Sequence, residues 1–356
     1  MATTVAEHML YLAPAGWVKT AIEAMAAAGI EVVAPVEDEN GDAELRPVTS
    51  PDGLALNNGK TLLPLKRLLF PESEVLLEFE KRADGDVDVE AAPLPADEVV
   101  VLGCRPCDAA ALGVLDQVFQ WDYDDLRYRA HRERTTVVTF ACSKPDGRCF
   151  CTSVGGSPHG EQGSDLLVFP RGDGDGRSPS DAILKVLSSR GEKLVERLGA
   201  AVQPAPEGTE EPVPPAIEPR FDPDKVKAWL DEHFESPFWL ETGLRCVGCG
   251  ACSYLCPTCH CFDIVDEGMW DRGERRRNWD CCSFALFTAH ASGHNPRADQ
   301  GARYRQRVMH KFKYFPERFG RIACVGCGRC LGACGVGQNL VAVLAEIEGK
   351  AMSRSQ

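Results

Sequence analysis

Two stretches of twelve residues, "CVGCGACSYLCP" at 246–257 and "CVGCGRCLGACG" at 324–335, share the spacing C-x2-C-x2-C-x3-C. Three thiols two residues apart wrap one corner of a small iron–sulfur cubane, because so tight a loop also turns backbone N–H groups toward the cluster sulfides. In two-cluster ferredoxin sequences the fourth cysteine of each run ligates the cluster of the other. The doubled run therefore predicts two [4Fe-4S] clusters. The first is assigned to Cys246, Cys249, Cys252 and Cys334, and the second to Cys324, Cys327, Cys330 and Cys256. Zinc sites use two C-x2-4-C pairs and four ligands in all, so a doubled run of four, with glycines at 248, 250, 326 and 328, fits zinc poorly. Gly335 stands where the pattern has proline, which changes the turn and not the ligand.

The first run does not stop at Cys256. Cys259, His260 and Cys261 follow at once, and "WDCC" places Cys281 and Cys282 further on. These residues are candidates for packing and hydrogen bonding beside the second cluster, or for a further metal site. Between the runs, the insertion 262–323 departs from the charge of the chain. Overall 39 basic residues face 53 acidic ones, a net charge of −14 that argues against general attraction to nucleic acid or anionic membrane. Yet "RGERRR" (272–277) and "RYRQRVMHKFKY" (303–314) are basic. The expectation is a solvated face of a helical insertion, or a docking face for an acidic partner.

Upstream, 356 residues suffice for two domains. "QPAPEGTEEPVPPAIEP" is too polar to pack and too proline-rich for helix or central strand, so 199–221 is predicted as a linker. After it, Asp222-Pro223 is an N-cap and first helical position, and Val226, Trp229, Leu230 and Phe234 recur at helical spacing. Ser236-Pro237 starts another short helix. Residues 222–356 thus read as a mostly helical, two-cluster, ferredoxin-like domain. Before the linker, 1–198 reads as an α/β or α+β domain. It has a helix over 15–28, strands at "IEVVAPV" (30–36), "EVVVLG" (98–103), "TTVVTF" (135–140) and "DLLVF" (165–169), an apolar helix near 108–119 and another near 180–198. The loop after the second of these strands reads GCRPCD and no G-x-G-x-x-G occurs, so neither a nicotinamide cofactor nor a flavin is expected on this chain.

Five cysteines lie in this first domain: Cys104, Cys107, Cys142, Cys149 and Cys151. Two of the strands end beside them, so the loops can converge over one edge of a sheet, and four of the five could hold a third cluster. Buried thiols are the alternative. If "CFC" is extended, its sulfurs at i and i+2 share one side. With 17 cysteines, no basic-apolar leader and no run of 18 apolar residues, the chain reads as a soluble protein of a reducing cytoplasm.

Seven segments in order carry a resemblance: "LLPLKRLLFPESEVLLEF" (62–79), "RPCDAAAL" (105–112), "CFCTSVGGSPHGEQGSDLLV" (149–168), "CPTCHCFDIVDE" (256–267), "WDCCSF" (279–284), "MHKFKYFPERFG" (309–320) and "CVGCGRC" (324–330). Together they resemble the iron–sulfur beta subunit of cytoplasmic sulfhydrogenases, the NAD(P)-linked [NiFe] hydrogenases, and equally the dicluster iron–sulfur subunit of anaerobic sulfite reductase. Residues 1–59 match no motif. The resemblance implies an electron-transfer subunit with no catalytic residue of its own. Its implied partners are a subunit that binds flavin and NAD(P), together with catalytic metal-bearing subunits. It also implies that the third cluster uses Cys107, Cys142, Cys149 and Cys151, leaving Cys104 outside. Two other readings compete: an iron–sulfur catalytic subunit with its own substrate site, for which Cys259, His260, Cys261, Cys281 and Cys282 are the uncommitted candidates, and a redox-sensing iron–sulfur regulator. No recognised helix-turn-helix supports the regulator.

Overall fold

The computed structural model describes residues 9–57, 59–172 and 181–353. Its first half is built on an eight-stranded mixed sheet. In chain order the elements are β1 Leu10–Ala13, α1 Trp17–Ala27, β2 Glu31–Glu37, β3 Ala43–Pro47, α2 Lys66–Leu69, β4 Ser73–Lys81, β5 Val87–Ala91, β6 Val99–Cys104, α3 Pro106–Phe119, α4 Leu126–Arg134, β7 Thr135–Phe140, β8 Leu166–Arg171, β9 Asp181–Val186, α5 Ser189–Leu198 and β10 Gln203–Pro204. The sheet runs β10-β1-β9-β8-β7-β6-β2-β3. Its centre, β2, β6, β7 and β8, is parallel, and the outer pairings are antiparallel.

Alternation along the central strands sorts side chains between two faces. Val32, Val100, Leu102, Val138 and Phe140 pack with α1 and α5, while Val33, Val101 and Val137 pack under α2, α3 and α4. Helix α1 stops at Gly29, whose φ of +71° supplies the left-handed residue the sequence placed there. The predicted helix over 180–198 is a correction. "DAILKV" (181–186) forms β9, and the helix starts only at the Ser188 cap, whose hydroxyl accepts from the N–H groups of Arg190 and Gly191. A short apolar run fits either element, and here its burial between β1 and β8 selects strand.

The segment 205–222 is largely exposed and without regular structure, and helices follow it: α6 Pro223–Glu232, α7 Phe238–Gly243 and α8 Ala251–Tyr254. Then come β11 Phe262–Met269, β12 Arg272–Trp279, α9 Gln300–Met309, a π-helical turn at His310–Tyr314, α10 Phe315–Phe319, α11 Arg329–Gly332 and α12 Leu340–Met352. Asp222 caps α6 as expected, its carboxylate accepting from the Asp224 and Lys225 N–H groups. Val226, Trp229 and Leu230 are buried with Phe238, Trp239, Tyr304, Val308, Phe312 and Leu344, whereas Phe234 stays exposed beneath the Arg305 guanidinium.

The insertion 262–323 differs most from expectation. It opens with a β-hairpin, not a helix, and β12 pairs antiparallel with β4 of the first half, giving the four-stranded sheet β11-β12-β4-β5. "RGERRR" lies on β12. Arg275 pairs with Asp266 at 2.7 Å, Arg276 with Glu274, and Arg277 with Glu74 at 2.6 Å and with Asp125. Its arginines are therefore largely neutralised within the fold.

Candidate iron–sulfur sites

The two cysteine runs fold alike. In each, glycines with positive φ (68° and 77° at 248 and 250, 62° and 74° at 326 and 328) wind the loop before a single helical turn, α8 or α11, and the two turns touch. Cys246, Cys249, Cys252 and Cys334, the set assigned to the first cluster, line one cavity, and Cys330 borders it. Gln300 Nε2 donates to Cys246 Sγ at 3.2 Å and the Gln338 N–H donates to Cys334 Sγ at 3.1 Å, the kind of N–H···S contact that surrounds ligand sulfurs.

Cys256, Cys324, Cys327 and Cys330 are close enough to sense one another's charge. Burial pushes the Cys324 thiol up to about 11 and that of Cys330 to about 12. Cys256 moves the other way. A hydrogen bond from the Cys259 thiol, helped by Lys311 and Arg307, holds it well below the usual thiol range, and Cys259 is correspondingly raised. Thr258 anchors this corner by donating to the Ala323 carbonyl at 2.8 Å, with its oxygen 3.2 Å from Cys256 Sγ.

The tail "TCHCFD" therefore has a visible role. Cys259 lies against Cys256, and the base of the β11/β12 hairpin brings Cys261 to Cys282, which also meets Cys281. The fully buried Cys281 accepts from the Ser283 N–H at 3.3 Å and packs at Gly250 of the first run. His260 is held neutral by burial, its pKa drawn down to about 3. Among the described residues, no three His, Cys, Asp or Glu side chains converge as ligands for a single metal ion.

In the first half, Cys107, Cys142, Cys149 and Cys151 all line one large cavity with Lys60 and Arg105, and it extends to Gly326 and Cys327 of the second run. Cys107 enters from the start of α3, just after β6, and Cys142 from the end of neighbouring β7, so two parallel strands deliver them to one rim. Lys60 Nζ donates to Cys149 Sγ at 3.3 Å and pairs with Asp146 at 2.7 Å. The pair "CFC" reaches the cavity by a turn: Phe150 (φ −148°, ψ 33°) is buried in the second-half core and Cys151 opens a 3-10 turn. Cys104 stays in the hydrophobic core, its thiol 3.8 Å from the Val138 carbonyl.

Charged residues that the motif reading passed over surround these thiols. Arg307 and Lys311 are each 4% exposed and Lys66 is 3% exposed. Arg307 donates to the Cys252 carbonyl and Ser253 hydroxyl and lies 3.6 Å from Cys259 Sγ. Lys311 Nζ donates to Thr258 Oγ1 and the Ala323 carbonyl and stands 3.5 Å from Cys256 Sγ. Lys66 Nζ donates to the Cys259 carbonyl at 2.9 Å and sits over the Trp279 ring. Burial disfavours the Lys311 ammonium, but the charges of Cys256, Cys259 and Cys324 outweigh it and raise its pKa. These side chains stood in the quoted segments: Lys66 beside Arg67 in "PLKRLL", and Lys311 with Lys313 in "MHKFKYF", each pair set among apolar or aromatic residues. Arg329 also enters, its guanidinium meeting Asp108 with two bonds of 2.8 Å.

The donor set fits iron–sulfur clusters: thiols in fours, N–H donors to sulfur, and buried cations suited to an anionic group. Comparison with known proteins agrees. Residues 245–338 match the 4Fe-4S dicluster domain family. The chain is 28% identical over 326 residues to Sulfhydrogenase 2 subunit beta of Pyrococcus furiosus, covering 89% of this chain and 92% of that protein. The chain is thus similar along most of its length to a sulfhydrogenase beta subunit, and its C-terminal half matches a 4Fe-4S dicluster domain.

Proposed function

We infer that this chain is an iron–sulfur electron-transfer subunit of a multi-subunit cytoplasmic oxidoreductase of the hydrogenase or sulfite reductase type. In this reading it relays electrons between a partner that binds flavin and NAD(P) and another that bears the catalytic metal. The observation that carries it is the meeting of the two cysteine runs across the α8–α11 contact, in a chain similar along most of its length to a hydrogenase subunit. Cys246, Cys249, Cys252 and Cys334 would hold one [4Fe-4S] cluster, and Cys324, Cys327, Cys330 and Cys256 the other. Cys107, Cys142, Cys149 and Cys151 would hold a third. Bound clusters supply one-electron carriers. The protein's part is to hold them and limit water: Tyr304, Arg307 and Leu340 line the first cavity, and the Phe150 N–H donating to the Gly326 carbonyl ties the second run to the first-half loop. The first-half cavity opens next to Cys327, which supports a chain of three centres. Among the described residues no helix is long and apolar enough to cross a membrane.

Iron and sulfide analysis of the anaerobically purified chain, with redox-titrated EPR, tests the reading. Three clusters require about twelve iron atoms, and about eight would remove the first-half cluster while leaving the pair. Purification from its native cells should bring flavoprotein and metalloenzyme subunits with it. A chain that emerges alone and binds DNA would instead be a sensor.

A further inference from the structure

Arg307, Lys311 and Lys66 are buried, and among the described residues none of them has a carboxylate within ion-pair distance. Their contacts are sulfurs, hydroxyls and backbone carbonyls, with the Trp279 ring beneath Lys66. Buried Arg329, by contrast, is matched by Asp108. Removing a cation from water is strongly unfavourable unless an anion faces it, and three such cations converge on Cys256, Cys259 and the carbonyl of Cys252. The backbone supports the arrangement. The π-helical turn at His310–Tyr314 interrupts α-helical periodicity where Lys311 and Phe312 turn inward, and such turns are frequent at functional sites.

We propose that Lys311, Arg307 and Lys66 form a cationic wall that raises the reduction potential of the cluster held by Cys256, Cys324, Cys327 and Cys330. This rests on the reading of those four cysteines as ligands of one cluster. The step concerned is the gain of one electron from a reduced flavin or another cluster, with no bond formed or broken and no proton moved. A fixed positive charge favours the more anionic, reduced form, and in a low-dielectric interior the effect is not screened away. Lys311 acts on this cluster from 3.5 Å off Cys256, Arg307 lines the cavity of the first four cysteines and stands 3.6 Å from Cys259 Sγ, and Lys66 reaches the site from the first half. All three are positioning residues and none is a ligand.

The test is a mediated redox titration of the full chain, read by EPR, on the wild type, K311M, K66M and K311R. Lys311→Arg keeps the positive charge while changing the shape of the side chain that carries it. In K311M the fraction of this cluster reduced at the wild-type midpoint should fall so that the reduced-to-oxidised ratio drops about tenfold, a shift of about 59 mV for one electron. K66M should shift the same signal in the same direction by less, and K311R should stay nearer the wild-type value than K311M. Midpoints unchanged in iron-replete K311M and K66M overturn the proposal. Iron lost from both methionine variants but kept by K311R supports it, because the positive charge is then needed to hold the anion. Iron lost from K311R as well assigns these groups to structure alone and overturns it. Wild-type protein with less than a two-cluster iron content would instead defeat the underlying ligand reading.

Discussion

Gly326 and Gly328 show how much one residue decides here. Both have positive φ, and a Cβ at Gly326 would lie 2.5 Å from backbone atoms of Phe150 and Cys151, while one at Gly328 would lie 2.4 Å from the Arg148 carbonyl oxygen. Backbone cannot yield as a flexible side chain does, so the second run and the "RCFC" loop touch through bare glycine, joined by the Phe150 N–H donating to the Gly326 carbonyl at 2.9 Å. Gly326→Ala should lower stability by at least ~1–2 kcal/mol from the left-handed backbone alone. It should also displace Cys151 and Cys327 enough to lose iron. Gly335→Ala is the matched control: it has ordinary φ and open space around it, and should change thermal unfolding and iron content little. Equal behaviour of the two variants would show that the close approach has no consequence.

At the scale of elements the β11/β12 hairpin does the unexpected work. It lays β12 on β4, sets Cys261 beside Cys282 at its base, and drives Arg277 into a pocket of Glu74, Asp125 and the Phe70 ring. The Glu74 carboxyl is desolvated by burial, but its bond from His131 and the charge of Arg277 more than compensate and hold its pKa below the usual 4.5. A carboxylate with a lowered folded pKa contributes stability that is complete above about 4.5 and is lost as pH falls through its folded value. Glu74→Gln should therefore cost roughly 2–3 kcal/mol near neutral pH, less than a fully broken buried pair because Asp125 still faces Arg277. That gap should narrow below pH 4.5 in denaturant titrations at stepped pH, and a pH-independent gap would contradict it.

Much of the architecture at this scale was legible in the sequence. The strands at 99–104 and 135–140, the Asp222 cap and the two cysteine loops follow from β-branched runs, cap chemistry and spacing, all of which are local signals. The hairpin was not legible. Its residues "FDIVDEGM" and "RGERRRNW" are mostly polar, and β11 and β12 form a sheet only because β4, some two hundred residues earlier, offers an edge. The π turn was hidden for a similar reason, since Lys311 faces inward through contacts with Cys256, Thr258 and Ala323 that no helical periodicity encodes. The candidate ligands of the two runs were readable as spacing, and those of the first half only through the resemblance. The cations around them were not, because a buried lysine and a surface lysine look the same in a sequence.

The two halves of the molecule are not beads on a string. The irregular 205–222 segment separates them in sequence, but β4 with β12, Lys66 with the Cys259 carbonyl, and Arg329 with Asp108 and Thr61 hold them together in space. The last of these joins the start of α3, one residue from Cys107, to α11, two residues from Cys327, and so couples the first-half cavity to the dicluster site. Asp108→Ala strands a guanidinium that is buried and cannot neutralise itself, so it should cost ~3–5 kcal/mol. Because the pair bridges the halves, the loss should lower one shared transition. Anaerobic denaturant unfolding followed by far-UV circular dichroism and by cluster absorbance should give coincident curves for the wild type, and both should move together in D108A. Replacing both partners, as in D108L with R329M, removes the stranded charge and should recover much of the loss, since an apolar pair of similar volume is often as stable as a buried ion pair. If absorbance and dichroism separate in the wild type, the halves unfold independently and the bridging contacts do not couple them.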